Sequence, residues 1–171
     1  VDRAALRNVQ EPLKDRYREE PKAALVTLRA TGTLGEGITC SVTTGHAIAA
    51  AGLHPASGGD GSTLCSGDML LEALAACAGV TLSAVATSME IVIEKGSVHV
   101  EGDLDFRGTL AVDRGVPVGF RSIRVRFDLE TDAEDDKLDT LLRLTERYCV
   151  VYQTLASSPR LSVSFDRTGS R

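Results

Sequence analysis

The sequence predicts an α+β domain in which a mainly antiparallel sheet is wrapped around one buried helix. Three observations lead there: a stretch from Met69 to Ala86 that is apolar on nearly every face, two long runs of period-2 alternation after it, and connections of hairpin length between the strand-like segments. At 171 residues, 43% hydrophobic and 25% charged, the chain suits a single domain over 1–171, with 1–21 as an N-terminal helical extension and about 23–166 as the core.

Arg3 to Glu20 is strongly charged, places Leu6, Val9, Leu13 and Tyr17 at helical spacing and is closed by Pro21, the pattern of a surface helix. Ala23 to Ala30 and Ile38 to Thr44 are strand-like, and Gly32, Gly35 and Gly37 between them read as turn punctuation, so a hairpin is expected, extended by His46 to Ala50. Leu53 to Gly67 crowds one proline and four glycines into a loop long enough to carry function. Its Gly58-Gly59-Asp60-Gly61-Ser62 lacks the Lys of a P-loop and the spacing of a dinucleotide fingerprint, which excludes nucleotide binding.

The apolar helix then begins, with Ser66 or Asp68 placed to accept its first N–H groups. Met69 to Thr87 imitates a membrane span in length, but Glu72, Thr81, Ser83 and the lack of basic flanks point to the buried helix of a soluble protein. Gly96 to Arg107 and Phe120 to Glu130 alternate apolar with polar residues, as half-buried strands do, and are joined by a turn-rich stretch. From the acidic start at Thr131 to Asp136, a helix puts Leu138, Leu141, Leu142, Thr145 and Cys149 on one face, so Cys149 points inward near its end. Tyr148 to Leu155 continues as a further helix that Pro159 stops, and Leu161 to Phe165 is expected as the last strand.

Nineteen Lys and Arg against twenty-four Asp and Glu leave a net charge of -5, without the electrostatic footprint of a nucleic-acid binder. Cys40, Cys65, Cys77 and Cys149 lack close pairing and no signal peptide is visible, so a cytoplasmic protein with free thiols is expected. His46, His54 and His99 show no ligand spacing with the cysteines, so neither a metal nor an organic cofactor is expected.

The chemistry-bearing residues of the apolar helix are Asp68, Glu72 and Cys77. Asp68 and Glu72 share a face at i,i+4, whereas Cys77 lies about 140° round from Glu72. Two readings stand for the carboxylates, capping and solvating the helix start or tuning Cys77. Cys77 and Cys149, taken one at a time, are equally well read as small core residues. Cys40 and Cys65 are incidental, with Cys65 an alternative resolving thiol. Arg124 and Arg126 mark a solvated strand face or, alternatively, an anion contact.

Ser66-Gly67-Asp68-Met69-Leu70-Leu71-Glu72-Ala73-Leu74-Ala75-Ala76-Cys77 resembles the central helix of the OsmC/Ohr family, the osmotically inducible and organic hydroperoxide resistance proteins. Glu146-Arg147-Tyr148-Cys149-Val150-Val151 resembles that family's second cysteine motif, 72 residues on. The resemblance runs from about Ala23 to the chain end and marks a divergent OsmC-like member. It implies an interlocked homodimer and a thiol peroxidase active in oxidative stress defence. In that reading Cys77 attacks an organic or hydrogen peroxide, Cys149 resolves the sulfenic acid, Asp68 and Glu72 give support, and an external dithiol restores the thiols.

The sequence departs from the family pattern at three places. The early turn, Thr31 to Gly37, has no Arg; Gly67 stands ten positions before Cys77, where the family has Glu; and Val150 stands where it usually has Pro. The group that stabilises a Cys77 thiolate therefore has to come from elsewhere. Arg29, Arg124, Arg126, Arg16, Arg18, His46 and His54 are the candidate cations. The alternative function is a noncatalytic dimer that binds a small apolar or acyl ligand.

Overall fold

The computed structural model describes residues 50–111 and 113–167, the backbone of 31–34, 39–43 and 48–49, and positions 2–5, 7, 8, 10 and 19 near the N-terminus. The strand expected at 23–30 and most of the N-terminal helix lie outside the described residues.

The described elements run β1 (Thr31–Leu34), β2 (Thr39–Thr43), β3 (Ile48–Gly52), β4 (Leu64–Cys65), α1 (Ser66–Ser88), β5 (Lys95–Leu104), α2 (Phe106–Thr109), β6 (Phe120–Glu130), α3 (Asp135–Tyr148) and α4 (Val150–Ala156). Strands β1 to β4 form one sheet in sequence order; β1–β2 and β2–β3 are antiparallel, and β3–β4 is a short parallel bridge. Strands β5 and β6 form a separate antiparallel hairpin.

Three sequence expectations need correcting. Thr31 to Leu34 is a strand rather than a turn, because its β-branched threonines pair in register with β2, Thr31 opposite Thr43 and Leu34 opposite Cys40. The strand expected to reach Arg107 stops at Leu104. There the Asp105 carboxylate accepts from the Arg107 N–H and opens the single turn of α2 instead. Leu161 to Phe165 forms no strand: Leu161, Val163 and Phe165 are exposed in irregular chain, and period-2 alternation stabilises a strand only when a sheet edge receives it.

Alternation in the hairpin sorts its faces. Val98, Val100, Ile123, Val125 and Phe127 turn toward α1, while the opposite face is a ladder of charge, with Lys95–Glu130 at 3.1 Å, His99–Asp128 at 3.1 Å, and Arg124 paired with Asp103. Arg126 joins it through Asp128, so the two arginines occupy a solvated face.

Helix α1 is buried along one stripe, Leu74, Ala78, Leu82 and Val85, at the three- and four-residue spacing of a helix face. It packs against the hairpin, α3 and α4. Within one chain its other side is open, with Val80 73% exposed, so the helix is not buried all round. No side chain caps its start. Cys65 is the N-cap and contributes none, so the helix begins at Ser66, and Asp68 sits in the first turn.

The C-terminal end of α1 closes by main-chain geometry. Glu90 takes φ 58°, its N–H bonds the Thr87 carbonyl, and the Ile91 N–H reaches back to Ala86 at 2.9 Å. Ile91 is thereby delivered into a core with Leu82, Val85, Ala86 and Leu141. A second cluster is built on Leu74, Ala78 and Cys149, and Phe127 packs against both.

Candidate functional site

The site forms where α3 gives way to α4. Cys149 is the hinge, at φ -71° and ψ 108°, an extended residue between two helical ones. Its N–H still bonds Thr145 at 2.9 Å, closing α3, and its carbonyl accepts from Gln153 at 2.9 Å, opening α4. The N–H groups of Val150, Val151 and Tyr152 lie between those two bonds and have no carbonyl one turn earlier to meet. Val151 and Tyr152 pack against the cluster of Leu74, Ala78 and Cys149 on which Cys77 also rests, which puts the start of α4 beside both thiols.

Cys77 arrives from the middle of α1, half-buried beside the cluster of Leu74, Ala78 and Cys149. Cys77 and Cys149 thus pack together in one cluster. Burial acts to raise the Cys77 pKa, and it is outweighed by the Val151 N–H, the Cys149 thiol and the Val150 N–H nearby, so the thiol ends below its ordinary value. Thr81 Oγ1 holds the Cys77 carbonyl at 2.7 Å. Cys149 is shifted the other way. Burial pushes it up, and the charge on the neighbouring Cys77 adds to that, against the N–H groups of Tyr152 and Val151. Of the two thiols, Cys77 is therefore the one that loses its proton more readily.

The surrounding polar groups are few. Glu146 on α3 accepts from the Tyr152 hydroxyl, which that bond pushes above its usual pKa, and the Glu146 carbonyl accepts from Gln153 Nε2 at 2.9 Å. Cys149 and Tyr152 also line an open cleft of about 940 Å³ walled by α1, β6, α3 and α4, with Leu74, Ile123 and Phe127 on its apolar side and Arg121 and Arg126 along it.

Asp68 and Glu72 are exposed on α1, and neither is among the groups that shift the Cys77 thiol. Among the candidate cations, Arg124 is engaged by Asp103 and Glu101, Arg126 by Asp128, and His54 stacks on Phe106 with ring centroids 5.0 Å apart. Arg16, Arg18, Arg29 and His46 lie outside the described residues. Cys65 ends β4 and Cys40 lies on β2, described there by backbone alone. Among the described residues, no three His, Cys, Asp or Glu side chains gather as metal ligands would.

The sequence reading missed the main-chain donors, because it looked for a charged side chain. The available signal was the absence of proline at position 150, which leaves that residue an N–H to give.

Fold and paired thiols together define a thiol protein of the α+β class. A family model described as OsmC-like protein matches residues 59–164, more than half the chain, and the protein belongs to that family. Solved structures agree in fold. An OsmC-like protein from Mycoplasma pneumoniae matches with a TM-score of 0.66 at 17% identity, covering 78% of this chain and 89% of that one. An organic hydroperoxide resistance protein OsmC from Legionella pneumophila matches at 0.61 and 19%, covering 78% and 92%. An organic hydroperoxide resistance protein from Elizabethkingia anophelis matches at 0.62 and 15%, covering 79% and 91%. At these identities the likeness is one of fold. No curated protein matches the sequence.

Proposed function

We propose that the protein is a thiol-dependent peroxidase in which Cys77 is the attacking residue and Cys149 the resolving one. The carrying observation is the asymmetric pair: two cysteines 72 positions apart pack in one cluster, with the first one's pKa lowered and the second's raised. The Cys77 thiolate attacks the distal oxygen of R–O–O–H, the O–O bond breaks, and the departing alkoxide takes a proton to leave as alcohol, with Cys77 as sulfenic acid. The Cys149 sulfur then displaces that hydroxyl as water and closes the disulfide. A dithiol from outside reduces it by exchange.

The reading includes a homodimer. Its support is the exposed side of α1, carrying Val80, together with the alternating apolar residues at Leu161, Val163 and Phe165, surface that a second copy would cover. The cytoplasm, where thiols are kept reduced, suits this chemistry.

Mixing the reduced protein with one equivalent of cumene hydroperoxide or hydrogen peroxide tests the reading. A Cys77–Cys149 disulfide by peptide mapping and turnover with an added dithiol are expected. Cys77→Ser should abolish consumption, and Cys149→Ser should stop at the sulfenic acid after one turnover. Full turnover by Cys77→Ser would sink the proposal. A second reading, a binding protein for a small apolar or acyl ligand, is favoured by the apolar cleft beside Cys149 and would show as inert thiols with a copurified ligand.

A further inference from the structure

The main-chain donors at the two sulfurs are mounted on a weak element. Helix α4 has seven residues, too few to be stable alone, contains no fully buried residue, and is followed by irregular, exposed chain from Ser157 to Asp166. What precedes it is the extended Cys149. Its angle to α3, and with it the aim of the Val150, Val151 and Tyr152 N–H groups, therefore depends on bonds that cross the break.

Two such bonds exist and both end on Glu146. The Tyr152 hydroxyl donates to the Glu146 carboxylate, and Gln153 Nε2 donates to the Glu146 carbonyl at 2.9 Å. Glu146 belongs to α3, three residues before the hinge; Tyr152 and Gln153 belong to α4, three and four residues after it. Tyr152 is doubly placed, since its ring packs on the Cys149 cluster while its hydroxyl reaches back across the break. Neither bond touches a sulfur.

We propose that Glu146, Tyr152 and Gln153 are positioning residues, forming a polar brace across the α3–α4 break that holds the start of α4, with its free N–H groups, beside Cys77 and Cys149. The brace acts through geometry. A looser α4 moves those N–H groups away from Cys77, and a thiolate loses stabilisation steeply with donor distance and angle. The inference rests on Cys77 being the reactive thiol of the proposed peroxidase, and it makes that reactivity depend on residues that contact neither peroxide nor sulfur through their side chains.

The test is the pH profile of Cys77 alkylation by iodoacetamide in the full chain, read by peptide mass so that Cys40, Cys65 and Cys149 are scored separately. Tyr152→Phe keeps the ring and removes only the hydroxyl; Gln153→Ala removes the other bond at an exposed position. Each is expected to move the profile to higher pH and slow alkylation at pH 7 about threefold, and the double variant about tenfold. Glu146→Gln, which keeps an acceptor for Tyr152 and its carbonyl for Gln153, should stay within about twofold of the parent. An unchanged profile in the double variant overturns the brace, as does a Glu146→Gln shift as large as the double variant's. Peroxide consumption is measured alongside. A shifted profile in a protein that consumes no peroxide leaves the brace standing and removes the peroxidase reading; consumption with an unshifted profile does the reverse.

Discussion

At Cys77 the deciding quantity is the supply of hydrogen-bond donors. Val150 gives an N–H that proline could not, and the site accommodates a direct test. Position 150 is the first residue of α4, where proline is tolerated, and Cys149 already has the extended backbone that a following proline requires. Val150→Pro should therefore keep the helix and remove one donor. The Cys77 profile is expected to rise by about half to one pH unit, with the far-ultraviolet circular dichroism unchanged; an unmoved profile would count against main-chain activation. Asp105 makes a separate residue-scale prediction. The Arg107 guanidinium hydrogen-bonded to it, with the Arg107 N–H, holds its carboxyl down to about 2. A folded pKa below the unfolded carboxyl value of about 3.9 stabilises the protein above that value and loses the contribution as pH falls toward 2. Asp105→Asn should accordingly lower the urea midpoint at pH 7, and the gap from the parent should close as pH approaches 2. A gap that widens in acid would refute the assignment.

At the scale of elements, the end of α1 is the informative place. Glu90 occupies the left-handed position that glycine adopts without a Cβ penalty, and it is also paired with Arg3 at 3.0 Å on the surface. The left-handed penalty for an L-residue is about 1–2 kcal/mol, against a surface ion pair of ~0–1 kcal/mol and the extra chain entropy of glycine, about 0.5–1 kcal/mol. Glu90→Gly should leave stability unchanged or raise it by up to about 1 kcal/mol in urea unfolding. A loss above about 1 kcal/mol would show that Glu90 carries more than a helix stop. The same element shows how pattern and environment divide the work. The stripe Leu74, Ala78, Leu82, Val85 follows from helical spacing, whereas the apolar residues opposite it stay open because two strands and two helices cover one side only.

For the whole molecule, the open side of α1 and the bare C-terminal residues bear on assembly. Val80, 73% exposed, makes no use of its side chain within one chain. If a second copy packs there, a buried charge would be left unpaired, so Val80→Asp should lower the light-scattering mass from twice that of one chain to that of one chain. A parent protein of single-chain mass at micromolar concentration would remove the homodimer.

Much of the fold was legible because it rests on local periodicity. Phe120–Glu130 and the helix ending at Cys149 fall where their repeats of two and 3.6 put them. Leu161 to Phe165 carries an equally clear repeat and forms no strand, since pairing depends on an edge that sequence spacing does not supply. The cysteines were likewise visible as two motifs, with Cys149 phased inward. That they meet, and that the start of α4 with its free N–H groups lies beside them, was decided by the tertiary structure. Every residue except proline carries an N–H, so its identity says nothing about where that donor points. Only the break at Cys149, set against the middle of α1, gives those donors a direction.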